Sequence, residues 1–236
     1  FCLSRGLGDV YKRQGLGDSC AALPALQLVC TGALALDARD TAIYLPWLAA
    51  QRAAGRCVVV DANLRPSVMP DLAAYRTTVH AALAHAHIIK ASDEDLEHLA
   101  VPGVDALARA QHLLAANPQA YLLALTLGAE GAWLLHRNGV QRFAQEAQSL
   151  PVVDTVGAGD SFLAGLLAHL LRQLQAAGGA SFVRFVDALA ADACQQALRH
   201  ALASASLCVM EQGCVPPGWE AARAWSQQHP AAQDPR

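Results

Sequence analysis

The chain has 236 residues, 54% hydrophobic and 16% charged, with a formal net charge of −3. That composition supplies a large apolar core and excludes an intrinsically disordered chain. The slight acidic balance, without any block of Lys or Arg, argues against a nucleic-acid or anionic-membrane partner.

The most apolar run, Phe162 to Leu171, contains His169 and falls short of the roughly 18 residues that a membrane helix needs. The opening stretch, Phe1 to Gln14, has no clean helix or strand period and is basic in a mildly acidic chain. It lacks the apolar segment of a secretory signal, and we expect it to be foreign to the fold. Gly-Leu-Gly-Asp occurs at Gly6–Asp9 and again at Gly15–Asp18, but no strand precedes the first copy, so it is not read as a phosphate loop.

From there strand and helix patterns alternate. Leu26–Thr31 reads as a buried strand, Thr41 to Ala54 as a helix stopped by Gly55, and Arg56–Asp61 as a β-branched central strand. Asp71 to Ala84 is a predicted helix and His87–Lys90 a strand. Ser92 is placed to cap a short helix, Asp93 to Ala100, and a further helix runs from Asp105 to Ala116. Tyr121–Thr126 and Ala132–Leu135 are strands, and Asn138-Gly139 marks a hairpin turn into Val140–Phe143. Leu150 to Val153 reads as a strand end. Phe162 to Leu174 is apolar at helical spacing, Phe182–Met210 is largely helical, and a last helix passes through Trp219 and Trp225. Residues 229–236 read as a frayed tail. Alternating β and α units imply a parallel sheet covered on both faces, with ligands at the carboxyl ends of the strands.

The seven cysteines are Cys2, Cys20, Cys30, Cys57, Cys194, Cys208 and Cys214. An odd count without a Cys-x-x-Cys pair is neither a disulfide framework nor a zinc site. They are expected to be reduced cytoplasmic thiols, with Cys57 and Cys208 in the core. The histidines show no metal-binding spacing and are read as surface or satisfied polar residues.

The most informative stretch is Asp154 to Phe162, DTVGAGDSF. A Gly-Ala-Gly turn at the mouth of a helix leaves backbone N–H groups without intrahelical acceptors, and with the helix dipole they form an anion site. Gly157 and Gly159 allow close approach or positive φ. Asp160 then stands beside the place where negative charge gathers. It is poorly placed to bind an anion and well placed to take a proton from a hydroxyl. Together these features point to phosphoryl transfer to an alcohol. The plainer alternative, in which Asp160 only caps the helix, does not account for the order D-T-x-G-A-G-D.

DTVGAGDSF resembles the C-terminal signature of the ribokinase-like carbohydrate kinases, the PfkB family. The resemblance implies a three-layer α/β/α fold with a mainly parallel central sheet. It also implies Asp160 as catalytic base, Gly157, Ala158 and Gly159 as the turn that stabilises the transferring phosphoryl group, and Thr155 beside the nucleotide. Asp61-Ala62-Asn63-Leu64-Arg65 resembles the family's D-x-N-x-R element, which puts Asp61, Asn63 and Arg65 on the sugar; local turn bonding is the alternative. Lys90 to Asp95 resembles the N-x-x-E element, with Ser92 where Asn is usual and Asp95 where Glu is usual. This places Lys90 and Ser92 at the nucleotide and Asp95 on magnesium through water, against the alternative of an acid-rich helix start. Thr126, Gly128 and Gly131 match the nucleotide-loop element T-x-G-x-x-G, or serve a plain β-turn. Ala203 to Cys214 resembles the segment that closes over adenine, with Ser204 where Asn is common and Gly213 as the late glycine. Many members bind potassium, here near Asp154 and Val156.

The region carrying the resemblance runs from Leu26 to Gly213. The opening strands and the β-sheet lid of family members are not found before it, so residues 15–228 read as a kinase domain without its first third. Family members often dimerise through that lid, which implies a homodimer for a chain that carries it. The implied reaction is ATP- and magnesium-dependent phosphorylation of a sugar hydroxyl, with potassium as a further cofactor. Fructose ranks first as acceptor, then 2-keto-3-deoxygluconate and ribose. Two rivals stand beside it: a nucleotide-binding fragment with impaired catalysis, and a hydrolase using the Gly157–Gly159 turn as an oxyanion hole. No G-x-S-x-G elbow supports the hydrolase.

Overall fold

The computed structural model describes residues 20, 23, 25–69 and 71–229. The stretch 1–14, both Gly-Leu-Gly-Asp copies and the tail beyond His229 lie outside the described residues. Six strands form one sheet in chain order: β1 Leu28–Gly32, β2 Cys57–Asp61, β3 Ile88–Ser92, β4 Leu122–Thr126, β5 Ala132–His136 and β6 Gln141–Ala144. β1 to β4 are parallel, and β4, β5 and β6 pair antiparallel. The antiparallel edge is the hairpin expected at Asn138-Gly139, where Gly139 has φ 93°.

The parallel strands are joined by α1 Thr41–Ala53, α2 Leu72–Leu83, and the pair α3 Asp93–His98 and α4 Ala106–Ala116. Crossovers that each step one strand in the same direction put their helices on one face. The other face carries α5 Ala158–Ala176, α6 Phe182–Asp187 and α7 Ala191–Val209, with α8 Trp219–Gln228 packed on α7. Strand parity divides the core accordingly. Val58, Val60, Ile89, Ala91, Leu123 and Leu125 pack toward α1, α2 and α4. Cys57, Val59, Ile88, Leu122 and Ala124 pack toward α5 and α7. Burial on both faces is why these strands read as continuous apolar runs. Among the described residues no helix is long and apolar enough to cross a membrane.

One sequence expectation is corrected and one is refined. Leu150 to Val153 forms no strand: Val152 and Val153 are 57% and 60% exposed, and the N–H groups of Val153 and Asp154 both donate to the Val209 carbonyl at the end of α7. The apolar, β-branched composition suggested a strand, but no sheet edge receives it. The helical stretch from Phe182 is interrupted at 188–190, where Leu189 turns into the core.

Cys57 and Cys208 are buried as expected. His87 Nδ1 accepts the Val58 N–H at 2.9 Å, and His136 Nε2 bonds the Val186 carbonyl at 2.8 Å. His169 differs: its ring nitrogens have no hydrogen-bond partner among the described residues, and it lies against His200 and Trp219.

α5 and α7 approach closely because Gly165 has no side chain. A Cβ built there would stand 2.3 Å from Ser204 Oγ and 2.7 Å from its Cβ. Gly165→Ala is therefore expected to lower stability by about 1–3 kcal/mol through overpacking, with recovery when Ser204→Gly is added. Urea unfolding of the two variants checks this.

Candidate active site

Gly157 is the N-cap of α5 and has φ 80°, in the left-handed region that only glycine enters without strain. Space imposes a second demand, since a Cβ there would meet Cys214 Sγ at 2.2 Å. By position, the Gly159 and Asp160 amides have no intrahelical acceptor. The Ala158 N–H reaches the Thr155 carbonyl at 3.3 Å, and the Ser161 N–H donates to the Gly157 carbonyl at 2.8 Å. Asp160 is exposed on the first turn, while Ser161 beside it is buried. Burial leaves Ser161 poorly placed as a nucleophile, which counts against the hydrolase rival.

Beneath this turn lie the ends of β2 and β3. Asp61 and Lys90 are paired residues of the parallel ladder, and strand parity turns both side chains toward α5. Lys90 Nζ donates to Asp61 Oδ2 at 3.2 Å and lies 3.1 Å from Oδ1 without hydrogen-bond alignment. Burial pushes the Asp61 carboxyl up to about 6; Lys90 pulls against that rise, and the charges of Asp95 and Asp160 add to it. The sequence reading put Asp61 on the sugar; in the structure its carboxylate is buried and engaged by Lys90.

Asp95 fixes the neighbouring loop. It forms a capping box with Ser92, accepting the Ser92 N–H at 2.8 Å while its own N–H donates to Ser92 Oγ at 3.1 Å. Its other oxygen accepts the Leu64 N–H at 2.7 Å. The Ala62 N–H donates to the Lys90 carbonyl. Asn63, with φ 36°, takes the turn between these anchors, and Arg65 is exposed beyond it with one N–H on the Leu64 carbonyl.

The signature loop is tied down on its other side. Asp154 accepts the Val156 and Gly213 N–H groups, each at 3.0 Å, and these bonds hold its carboxyl below the usual range. Thr155 is exposed at the start of the turn. Thr126 ends β4 in register with Ser92. Gly128 takes φ 56° in open space. Gly131 is required by packing, since a Cβ there would lie 2.4 Å from the Ala144 carbonyl oxygen.

The structure thus gathers Asp61, Lys90, Ser92, Asn63, Asp95, Thr126 and the Asp154–Asp160 turn at the carboxyl edge of the sheet, with Gly213 tied to that turn. It does not bring Ser204 there. Ser204 is buried between α5 and α7, and its hydroxyl donates to the His200 carbonyl at 2.9 Å. The adenine assignment of Ser204 is corrected: its hydroxyl serves helix packing. The contact between Cys214 and Gly157 was not foreseen, because nothing local in the sequence brings the two together.

Among the described residues no group of three or more His, Cys, Asp or Glu could hold a metal ion by itself. Asp95 and Asp154 each retain lone pairs beyond their backbone bonds, which suits contact with a cation through water or with help from carbonyls. The Val156 carbonyl, which accepts only a weak thiol contact from Cys208 at 3.7 Å, is one such group.

A family model described as pfkB family carbohydrate kinase matches residues 1–221, and the chain belongs to that family. It is 36% identical over 155 residues to a fructokinase of Rhizobium leguminosarum bv. trifolii, covering 66% of this chain and 44% of that protein. It is also 36% identical over 142 residues to a fructokinase of Klebsiella pneumoniae, covering 60% and 45%. The chain spans less than half the length of these curated relatives.

Solved structures share the ribokinase-like fold. The fructokinase of Xylella fastidiosa with bound ATP superposes with a TM-score of 0.72 at 24% identity, covering 89% of this chain and 64% of that one. The Arabidopsis thaliana ribokinase complexed with ribose and ATP gives 0.62 at 20% identity, covering 89% and 59%.

Gly157→Ala is expected to cost about 1–2 kcal/mol from left-handed backbone strain alone. Adding Cys214→Ala relieves the steric part and leaves the backbone part. Thermal melts of the single and double variants separate the two.

Proposed function

We propose that this chain works in ATP-dependent phosphorylation of a sugar hydroxyl, with fructose as the acceptor. The observation that carries the reading is an exposed carboxylate, Asp160, on the first turn of a helix whose glycine-built N-terminus faces a buried ammonium. An anion site with a base beside it suits transfer of an anionic group to an alcohol. The fructokinases among its relatives support fructose over 2-keto-3-deoxygluconate and ribose.

The step balances on this chain's own groups. Asp160 accepts the proton as the sugar O–H bond breaks. The freed oxygen forms a bond to the γ-phosphorus, and the bond from that phosphorus to the β,γ-bridging oxygen breaks, releasing ADP. The N–H groups of Gly157 and Gly159 and the dipole of α5 stabilise charge on the group in flight. Ala158 joins them only by leaving the Thr155 carbonyl. Asn63 and Arg65 offer an amide and a guanidinium to the sugar. Ser92, Thr126, Gly128, Thr155 and Gly213 border the nucleotide side.

Magnesium, when bound with ATP, neutralises phosphate charge, and Asp95 would meet it through water. A monovalent cation would draw on Asp154 and the Val156 carbonyl. A fructokinase of Vibrio cholerae was solved with fructose, ADP and a potassium ion, which supports both the donor and a cation.

The test is ADP release from ATP and magnesium with fructose, 2-keto-3-deoxygluconate or ribose added singly. Asp160→Asn is expected to lower sugar-dependent turnover by roughly 10²–10⁴-fold and to leave ATP affinity nearly unchanged. Turnover indifferent to Asp160→Asn would overturn the assignment of the base. ATP binding without release would favour the nucleotide-binding module.

A further inference from the structure

We propose that Asp61 is a positioning residue for phosphoryl transfer: it holds the Lys90 ammonium beneath the Gly157–Gly159 turn and makes no contact with the sugar. The inference rests on the phosphotransferase reading and assigns the floor of that same site.

Ladder register makes Asp61 and Lys90 neighbours, and strand parity points both at α5. Their side chains are 8% and 5% exposed, so the pair is shielded from bulk water. A Cβ built on Gly159 would stand 3.1 Å from Lys90 Nζ and 3.8 Å from its Cε. The ammonium is therefore pressed against the first turn of α5.

A cation there meets the positive end of the helix dipole, which is the wrong end for it. Burial adds a desolvation penalty that only a paired partner offsets. Among the described residues Asp61 is the carboxylate in contact with Lys90. Asp61 thus makes a phosphate-facing ammonium tolerable before phosphate arrives. An incoming phosphoryl group would meet amides from the turn and the ammonium from below.

A purely structural role is a poor account of the pair, because an apolar pair of similar volume fills a strand interior as well or better. Gly159 also gains a reason: a Cβ there would press on the ammonium, which would have to give by a few tenths of an ångström.

The test is phosphorus NMR of ATP bound to the protein, with magnesium, alongside calorimetric ATP titrations and thermal melts. It compares wild type, Lys90→Met, Asp61→Asn and the double variant. Lys90→Met is expected to weaken ATP by about tenfold or more, the loss of one charge-assisted contact, and to shift the γ-phosphorus resonance. Asp61→Asn is expected to shift the same resonance, because the ammonium loses its anchor, with sugar KM unchanged and kcat lowered. The melting temperature is expected to fall in each single variant and to recover in the double. An unchanged γ-phosphorus resonance and ATP affinity in Lys90→Met, or a raised sugar KM at unchanged kcat in Asp61→Asn, would overturn the proposal. A wild-type chain that binds no ATP would instead remove the phosphotransferase reading beneath it.

Discussion

A buried ammonium held against the positive end of a helix is the constraint around which this site is arranged. Lys90 tolerates that position only because Asp61 shares its ladder rung, two side chains of the same parity on adjacent parallel strands. Glycine at 159 leaves room for the ammonium, and glycine at 157 lets the chain enter the helix at a left-handed angle beside Cys214. The result is a paired ammonium and a helix N-terminus gathered at the carboxyl edge of the sheet, with an exposed carboxylate, Asp160, at the rim. A helix N-terminus offers free amides to an anion, and that is the basis of the proposed function.

The surrounding loops are fixed by carboxylates bonded to backbone. Asp95 joins the loop after β2 to the start of α3, and Asp154 joins the signature turn to the loop after α7. Each accepts two N–H bonds, one local and one that closes a long excursion of chain. A misplacement of about 1 Å can cost roughly 10²-fold in rate, and these ties fix two pairs of segments from distant parts of the sequence. Acid-rich stretches at 93–95 and 154 thus contribute rigidity as well as charge.

Local features were legible in the sequence. The strand–helix alternation, the Ser92 cap, the Asn138-Gly139 hairpin and the signature turn all depend on neighbours within a few residues, and each is where its pattern put it. What the sequence hid depends on contacts far along the chain. The pairing of Asp61 with Lys90 stayed hidden because its ladder partner lies 29 residues away. Ser204 read as an adenine contact because nothing local reveals that Gly165 lets α5 close upon it. Leu150 to Val153 read as a strand because β-branched apolar residues favour one, yet strand formation needs a free edge and none faces them. The break at 188–190 hid among good helix formers and became visible only through the burial of Leu189.

The measurement closest to the central claim is a crystal structure of this chain with ADP, fructose and a planar fluoride mimic of the transferring phosphoryl group. The account predicts the mimic within hydrogen-bond distance of the Gly157 and Gly159 N–H groups. It also predicts Lys90 Nζ beneath the mimic, still paired with Asp61, and the Asp160 carboxylate against a fructose hydroxyl. A mimic seated away from this turn, or a Lys90 ammonium turned from it, would contradict the account.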